Sequence, residues 1–209
     1  MAQEATATPA SPLHPVAIVT VWRHGHAAPA SEDFERALSA KGRQQAAMLG
    51  NAEEDFFDDV ECVICSAAPR AQQTAVIAMF PPGFGWSRSI PVWFSGFGRQ
   101  FYSFADDAHH AAFIALSEVV NSTSYAAHKA ADKNGLLAKL REELLATMFN
   151  VPHIDRAGRI DIFNHAVVGN ALAEALFPQH AKAIEAIDLN PCDGIRLTAT
   201  TCQHIPLMT

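Results

Sequence analysis

The segment 17–27, AIVTVWRHGHA, constrains the fold of this chain most. It is a continuous apolar, β-branched run that stops at Arg23, His24, Gly25 and His26. Such a run followed by a glycine predicts a buried strand of a parallel sheet, whose last side chains lie at the carboxyl edge. Open α/β sheets bind ligands at that edge. Two interpretations are open: a functional site, or ordinary strand-end residues with solvated tips.

Composition indicates one globular domain. The 209 residues are 49% hydrophobic and 18% charged, enough apolar content for a substantial core. The net charge of −7 predicts a surface that repels nucleic acid and anionic membranes. The first residues lack the basic start and apolar centre of a signal peptide, and no apolar run reaches the length of a membrane span. We therefore expect a disordered tail at 1–15, a domain at 16–209 and a cytoplasmic protein.

The cysteines form one motif that resembles a metal or redox site. Cys62 and Cys65 make a C-x-x-C, but it lies inside the apolar run 60–66. Strand alternation would place the two thiols on opposite faces, and Cys192 and Cys202 lack metal-ligand spacing. The pattern predicts buried, reduced, structural thiols.

A second strand end carries an arginine. The run 60–65 ends at Ser66, and Arg70 precedes a helical segment at 71–80. At such a strand-to-helix junction, unpaired backbone N–H groups and the helix dipole favour an anion. An arginine in that position indicates an anion site.

A third strand end carries a histidine. The run 159–163 reads as a strand and leads through His165 into a helix at 166–176. Between the second and third of these junctions, residues 106–149 are almost wholly helical in character, with a break at 134–135 and a last helix at 136–148. We interpret the histidines of that segment as solvated or incidental: His109, His110 and His128.

These patterns predict an α/β three-layer sandwich, with a mostly parallel central sheet, helices on both faces and a helical insertion at about 106–149 near the site. The three strand ends would then bring Arg23, His24, Arg70 and His165 into one pocket. Two guanidinium groups and two imidazoles suit a tetrahedral dianion. Imidazole is also able to attack phosphorus and form a covalent phosphohistidine.

At this point the chain resembles the histidine phosphatase superfamily, also called the phosphoglycerate mutase-like family, in its small single-domain branch. Four blocks carry the resemblance in the same order: RHG at 23–25, LSAKGRQQA at 38–46, SAAPRAQQTA at 66–75 and the strand-ending His165. The resemblance implies a phosphohistidine on His24 and a phosphate pocket of Arg23, Arg70 and His165. It implies neither a cofactor nor a metal.

Further residues receive roles beside that pocket. Gly25 would let the backbone turn close to the phosphate, and His26 would line the substrate entrance. Ser66 would either bind the substrate or stabilise the loop that carries Arg70. Many members of the family carry a glutamate proton donor after the third strand, where this chain has FSGFG at 94–98. Asp106 and Asp107 come next along the chain and are the candidate proton donors.

Three functions remain open on the sequence. The first is a metal-independent phosphatase whose partner is a small phosphorylated substrate or a phosphohistidine protein, with the oligomeric state undetermined. Without the usual acid, a good leaving group would be favoured, because losing a general acid costs about 10²–10⁴-fold in rate. The second is a weak or inactive phosphate-binding member of the same fold. The third is a metal-dependent hydrolase using the pair His24 and His26.

Overall fold

The computed structural model describes residues 12–52, 57, 59–80, 92–95 and 101–207, with the backbone alone at 92–95. Most of the predicted tail and the FSGFG segment beyond 95 lie outside these residues. Leu13 belongs to the stretch predicted as tail, yet it is buried against the core. No helix in the described part of the chain is long and apolar enough to cross a membrane.

The described residues form one sheet whose strand order is β3-β2-β4-β1-β5-β6. The strands are β1 (Ile18–Arg23), β2 (Cys62–Cys65), β3 (Val92–Ser95), β4 (Arg159–Asn164), β5 (Gly194–Leu197) and β6 (Cys202–Ile205). The first four strands pair in parallel, whereas β5 and β6 pair antiparallel at one end. The sheet is therefore mostly parallel, as predicted.

Seven α-helices and one short 3₁₀-helix, Pro178–His180, accompany the sheet in the described residues. The α-helices are α1 (Ala40–Ala52), α2 (Pro69–Met79), α3 (Asp107–Val120), α4 (Tyr125–Ala131), α5 (Leu136–Met148), α6 (Ala166–Leu176) and α7 (Ala181–Glu185). The predicted insertion contains three of them, α3 to α5. Gly135, at the predicted break, has a φ of 71°, a left-handed conformation that glycine adopts without strain.

The helices cover both faces of the sheet. Leu49 of α1 and Met79 of α2 pack with Trp22 and Phe163 on one face. Helices α5 and α6 pack on the other, where Val21 and Ile162 belong to the larger core cluster. The predicted three-layer α/β class is confirmed. The cysteine prediction also holds, because Cys62 and Cys65 are free, buried and in different clusters.

The carboxyl-terminal part differs from the prediction. The sequence at 195–200 by itself predicts one last strand, whereas β5 ends at Leu197 and a turn leads into β6. Hydrogen bonds between Thr198 and Thr201 close that turn, both through the backbone and through their hydroxyl groups. The polar and exposed residues of β6, an edge strand, lack the buried apolar run that marks the inner strands.

Candidate active site

The strand register brings the three predicted strand ends together. Arg23, the last residue of β1, pairs with Asn164, the last residue of β4, so His24 and His165 follow at the same edge. The His24 N–H donates to the Asn164 carbonyl at 2.9 Å. Strand β2 lies on the other side of β4 and leads into α2, whose second residue is Arg70. Arg23, His24, Arg70 and His165 therefore lie at the same edge of the sheet.

His24 is held in one tautomer. Its Nδ1 lies 2.7 Å from the Gly25 carbonyl oxygen, and its Nε2 lies 3.1 Å from Arg70 Nε. A carbonyl only accepts and a guanidinium only donates, so Nδ1 carries the proton and Nε2 presents its lone pair. Burial, followed by the positive charge of Arg70, lowers the pKa of His24 to about 3. The imidazole is neutral at pH 7, as a nucleophile must be.

His165 lies beside it. The two imidazole centroids are 4.9 Å apart in an edge-on arrangement, and His165 Nε2 contacts Ser66 Oγ at 3.0 Å. Burial, then the neighbouring His24 and the two arginines, keep the pKa of His165 well below its usual value. Both rings are therefore uncharged in the ligand-free protein, and the positive charge of the site comes from the guanidinium groups.

The two arginines differ in what they contact. Arg23 Nη1 donates to the Leu189 carbonyl at 2.5 Å, and its buried Nε has no hydrogen-bond partner among the described residues. Arg70 is 4% exposed, and both the carboxylate and the main-chain carbonyl of Asp33 accept hydrogen bonds from it. Its Nη2 donates to Asp33 Oδ2 at 2.8 Å and its Nη1 to the Asp33 main-chain carbonyl.

Sequence reasoning missed Asp33 and Tyr102. The Tyr102 hydroxyl donates to Asp33 Oδ2 at 2.5 Å, and its ring lies edge-on to His165 at 4.9 Å between centroids. Burial alone would raise the pKa of Asp33, but hydrogen bonds from Tyr102 and Arg36 and the charge of Arg70 lower it to about 2. Asp33 lies in a short polar connection, which gave no local signal of this contact.

The remaining predicted residues lie in and around the site. Gly25 donates its N–H to Thr74 Oγ1 at 3.0 Å, and Ser66 is buried against His165. The His26 side chain is exposed and bonds to Ser39 at the start of α1, so His24 and His26 do not converge on one point. Asp106 caps α3 by accepting from the His109 N–H, and neither it nor Asp107 is among the described residues that line the cavity.

An open cavity of about 330 Å³ connects these groups to the helical insertion. One end holds Arg23, His24, Asp33, Arg70 and His165. The other is lined by residues of α3, α4 and the start of α6, including His128. His128 is 1% exposed and bonds to the Ser124 carbonyl, which corrects the expectation that it is solvated. Apolar and polar neighbours from both α3 and α4 enclose it.

Comparisons with known proteins agree with this fold. No protein-family model matches the chain, and no curated protein matches it in sequence. The protein histidine phosphatase SixA complexed with tungstate is 16% identical, with 90% of this chain and 96% of that one covered and a TM-score of 0.52. The chain has the histidine phosphatase fold.

Two further structures with this fold show comparable similarity. The alpha-ribazole phosphatase from Shigella flexneri is 18% identical, covering 92% of this chain and 96% of its own, with a TM-score of 0.55. The mycobacterial glucosyl-3-phosphoglycerate phosphatase that complexes with VO3 is 13% identical, covering 92% and 100%, with a TM-score of 0.53. The resemblance carried by the sequence blocks is thus confirmed at the level of the fold.

Proposed function

We propose that the protein is a metal-independent phosphatase that hydrolyses a phosphomonoester or an activated phosphate through a covalent phosphohistidine on His24. One observation carries the proposal: His24 presents an unprotonated Nε2 toward a pocket that also contains Arg70, Arg23 and His165. A neutral imidazole is able to attack phosphorus, and two guanidinium groups are able to stabilise the phosphoryl oxygens during in-line transfer.

The positive groups of the pocket would hold the phosphoryl oxygens. Arg23 and Arg70 donate several hydrogen bonds each and keep their charge through the transition state. The buried Arg23 Nε, which has no partner among the described residues, is available for one of them. SixA with tungstate and the mycobacterial phosphatase with VO3 show that this fold accommodates oxyanions. A bound dianion would also favour protonation of His165.

The reaction proceeds in two displacements. His24 Nε2 attacks phosphorus, so that a P–N bond forms and the P–O or P–N bond to the leaving group breaks with its electron pair. Water then attacks the phosphohistidine, the P–N bond breaks, and inorganic phosphate and free His24 result. The leaving group takes up a proton in the first step, and the water loses one in the second.

In the ligand-free protein, the described carboxylates do not supply an acid for the leaving group. Asp33 is the one described carboxylate that lines the cavity, and its pKa of about 2 keeps it ionised. Asp106 and Asp107, proposed from the sequence, lie outside the described lining. Leaving groups that depart without protonation are therefore favoured, which include aryl oxides and the imidazole of a protein phosphohistidine.

The test combines turnover with trapping of the intermediate. We expect hydrolysis of p-nitrophenyl phosphate in the presence of EDTA, inhibition by vanadate, and an acid-labile, base-stable phosphoenzyme after rapid quenching. His24→Ala should abolish both turnover and the phosphoenzyme while the circular dichroism spectrum stays that of the parent. His26→Ala is the matched control, because it removes the exposed neighbouring imidazole and should keep both. Activity lost with EDTA and restored by zinc would reject the proposal.

The ionised state of Asp33, which leaves the leaving group without a carboxylic acid among the described lining residues, favours a second candidate, a phosphate-binding protein with little turnover. In the ligand-free protein the Asp33 carboxylate occupies the guanidinium that would hold a phosphoryl group. That function predicts thermal stabilisation by phosphate or vanadate together with the absence of hydrolysis and of a phosphoenzyme. The same two measurements therefore separate the candidates.

A further inference from the structure

The far end of the cavity contains no arginine, lysine, aspartate or glutamate among the described lining residues. The described charged side chains that line the cavity are Arg23, Asp33 and Arg70, all at the His24 end. Both cations are taken up by a bound phosphoryl group, and Asp33 adds a negative charge next to it. A second anionic group on a substrate would therefore meet no further arginine or lysine among the described lining residues, and an unpaired charge in such a site is costly.

Apolar side chains form most of that far end. Phe113 and Ile114 project from α3, and Val167 and Val168 from the first turns of α6. Ala166 and the two valines follow His165 in sequence, so these apolar groups begin where the phosphoryl pocket ends. A leaving group attached to a phosphoryl bound beside His24 enters this apolar space.

Polar side chains interrupt the apolar lining at Ser117, Ser122, Thr123 and His128, and two of them form a pair. His128 Nδ1 lies 2.9 Å from the Ser124 carbonyl oxygen, and its Nε2 lies 3.3 Å from Ser117 Oγ. Ser117 Oγ also donates to the Phe113 carbonyl at 2.9 Å. A hydroxyl oxygen has one hydrogen and two lone pairs, so this pair retains capacity to accept a hydrogen bond from a ligand hydroxyl.

The cavity volume limits the size of the ligand. About 330 Å³ is at the small end of the range for ligand pockets, roughly 300–1,000 Å³. The phosphoryl group occupies part of it, which leaves space for a leaving group of about one ring.

Resting on the proposed phosphoryl site, we infer that the cavity selects phosphate esters of small, uncharged, largely apolar alcohols, an aromatic alcohol in particular. The ring would lie between α3 and the start of α6, with a hydroxyl substituent facing Ser117 and His128. An aryl oxide also departs with little need for an acid, which agrees with the ionised state of Asp33.

Binding of phosphonates tests this without requiring turnover. The probes are phenylphosphonate, 4-(hydroxymethyl)phenylphosphonate and 4-carboxyphenylphosphonate, whose Kd values for the full chain are measured by calorimetry. We expect the first two to bind at least about tenfold more tightly than the carboxylate. Equal binding, tighter binding of the carboxylate, or no binding of any probe would overturn the inference. The hydrolytic function is tested separately. If it fails, the protein does not turn over phenyl phosphate but still discriminates among the phosphonates.

A charge introduced at the far end provides the matched variants. Ile114→Lys places a cation on the cavity wall and should reduce the preference for phenylphosphonate over the carboxylate by about fivefold. Val119→Lys adds the same charge to α3 at a side chain that is 81% exposed and outside the lining, and should leave the ratio unchanged. Equal effects of the two variants would show that the charge acts from anywhere on the helix. Turnover of a phosphohistidine peptide over one-hundredfold faster than phenyl phosphate would assign the site to proteins instead.

Discussion

At the scale of single residues, partners within the protein occupy the Arg70 guanidinium in the ligand-free state. Its Nε contacts His24, and the two ends of its guanidinium contact Asp33 through the carboxylate and the main chain. Tyr102 and Arg36 donate two further hydrogen bonds to the same carboxylate. Asp33 therefore fills the role that a phosphoryl oxygen would take, and a substrate must displace it.

Removing the Asp33 charge should strengthen oxyanion binding. In Asp33→Asn the competing carboxylate is absent, and the repulsion between it and a dianion disappears as well. We expect the Kd for inorganic phosphate to fall by about tenfold, equivalent to about 1.4 kcal/mol. Glu32→Gln makes the same change in net charge at an exposed neighbour, and calorimetry on both variants separates local from general electrostatics. An unchanged or larger Kd would mean that Asp33 orients Arg70 for the ligand.

At the scale of elements, α1 fixes the loop that carries His24. A Cβ on Gly42, in the first turns of α1, would lie 2.0 Å from the His26 carbonyl oxygen, and one on Gly25 would lie 2.7 Å from the Gly42 carbonyl oxygen. Ser39 caps the helix by accepting from the Gly42 N–H at 3.0 Å. The helix start and the loop therefore touch through backbone atoms, which leaves no room for a side chain between them.

Gly42→Ala tests this close approach. In an ordinary helix interior the change is stabilising by up to about 1 kcal/mol, because glycine disfavours helix. Here the new methyl group must push the loop away, so we expect the free energy of unfolding to fall by about 1–3 kcal/mol and turnover to fall with it. Urea unfolding measures the first quantity. Lys41→Ala, at the exposed preceding residue, is the control, and equal stability of both variants would contradict the contact.

Local sequence pattern was sufficient for most of the described elements and for part of the site, but not for the division between β5 and β6. The apolar periodicity of 136–148 and the helix-like composition of 166–176 predict α5 and α6, and the parallel strands bring Arg23, Arg70 and His165 to one edge. Asp33 and Tyr102 were beyond prediction because their contact joins positions 69 residues apart. No periodicity or spacing encodes such a contact between two loops, because it depends on how the loops pack against each other in the folded protein.

At the scale of the whole molecule, opposing titrations determine how stability depends on pH. His24 and His165 are buried neutral with lowered pKa values, so the unfolded chain binds more protons and stability rises with pH below about 6.5. Asp161, fully buried in β4 opposite Thr20, acts in the other direction. Burial raises its pKa to about 6, although the charge of Arg159 and the polar groups of Trp22 and Thr20 oppose the rise.

Asp161→Asn should therefore remove the contribution of Asp161 to the pH dependence of the free energy of unfolding. Between pH 4 and pH 6 the folded protein retains a proton on Asp161 that the unfolded chain has lost, so this residue makes stability fall as pH rises. The loss reaches about 3 kcal/mol at pH 7, from a pKa difference of about two units. We expect the free energy of unfolding in urea to be the same for the variant and the parent near pH 4, and to be higher for the variant at pH 7.

Asp155→Asn, at a side chain that is 71% exposed, is the control and should show no such difference. The histidine titrations cancel because all three proteins share them. A gain that is the same at both pH values would instead assign the effect to packing, since only a proton bound differently in the two states produces a pH-dependent difference.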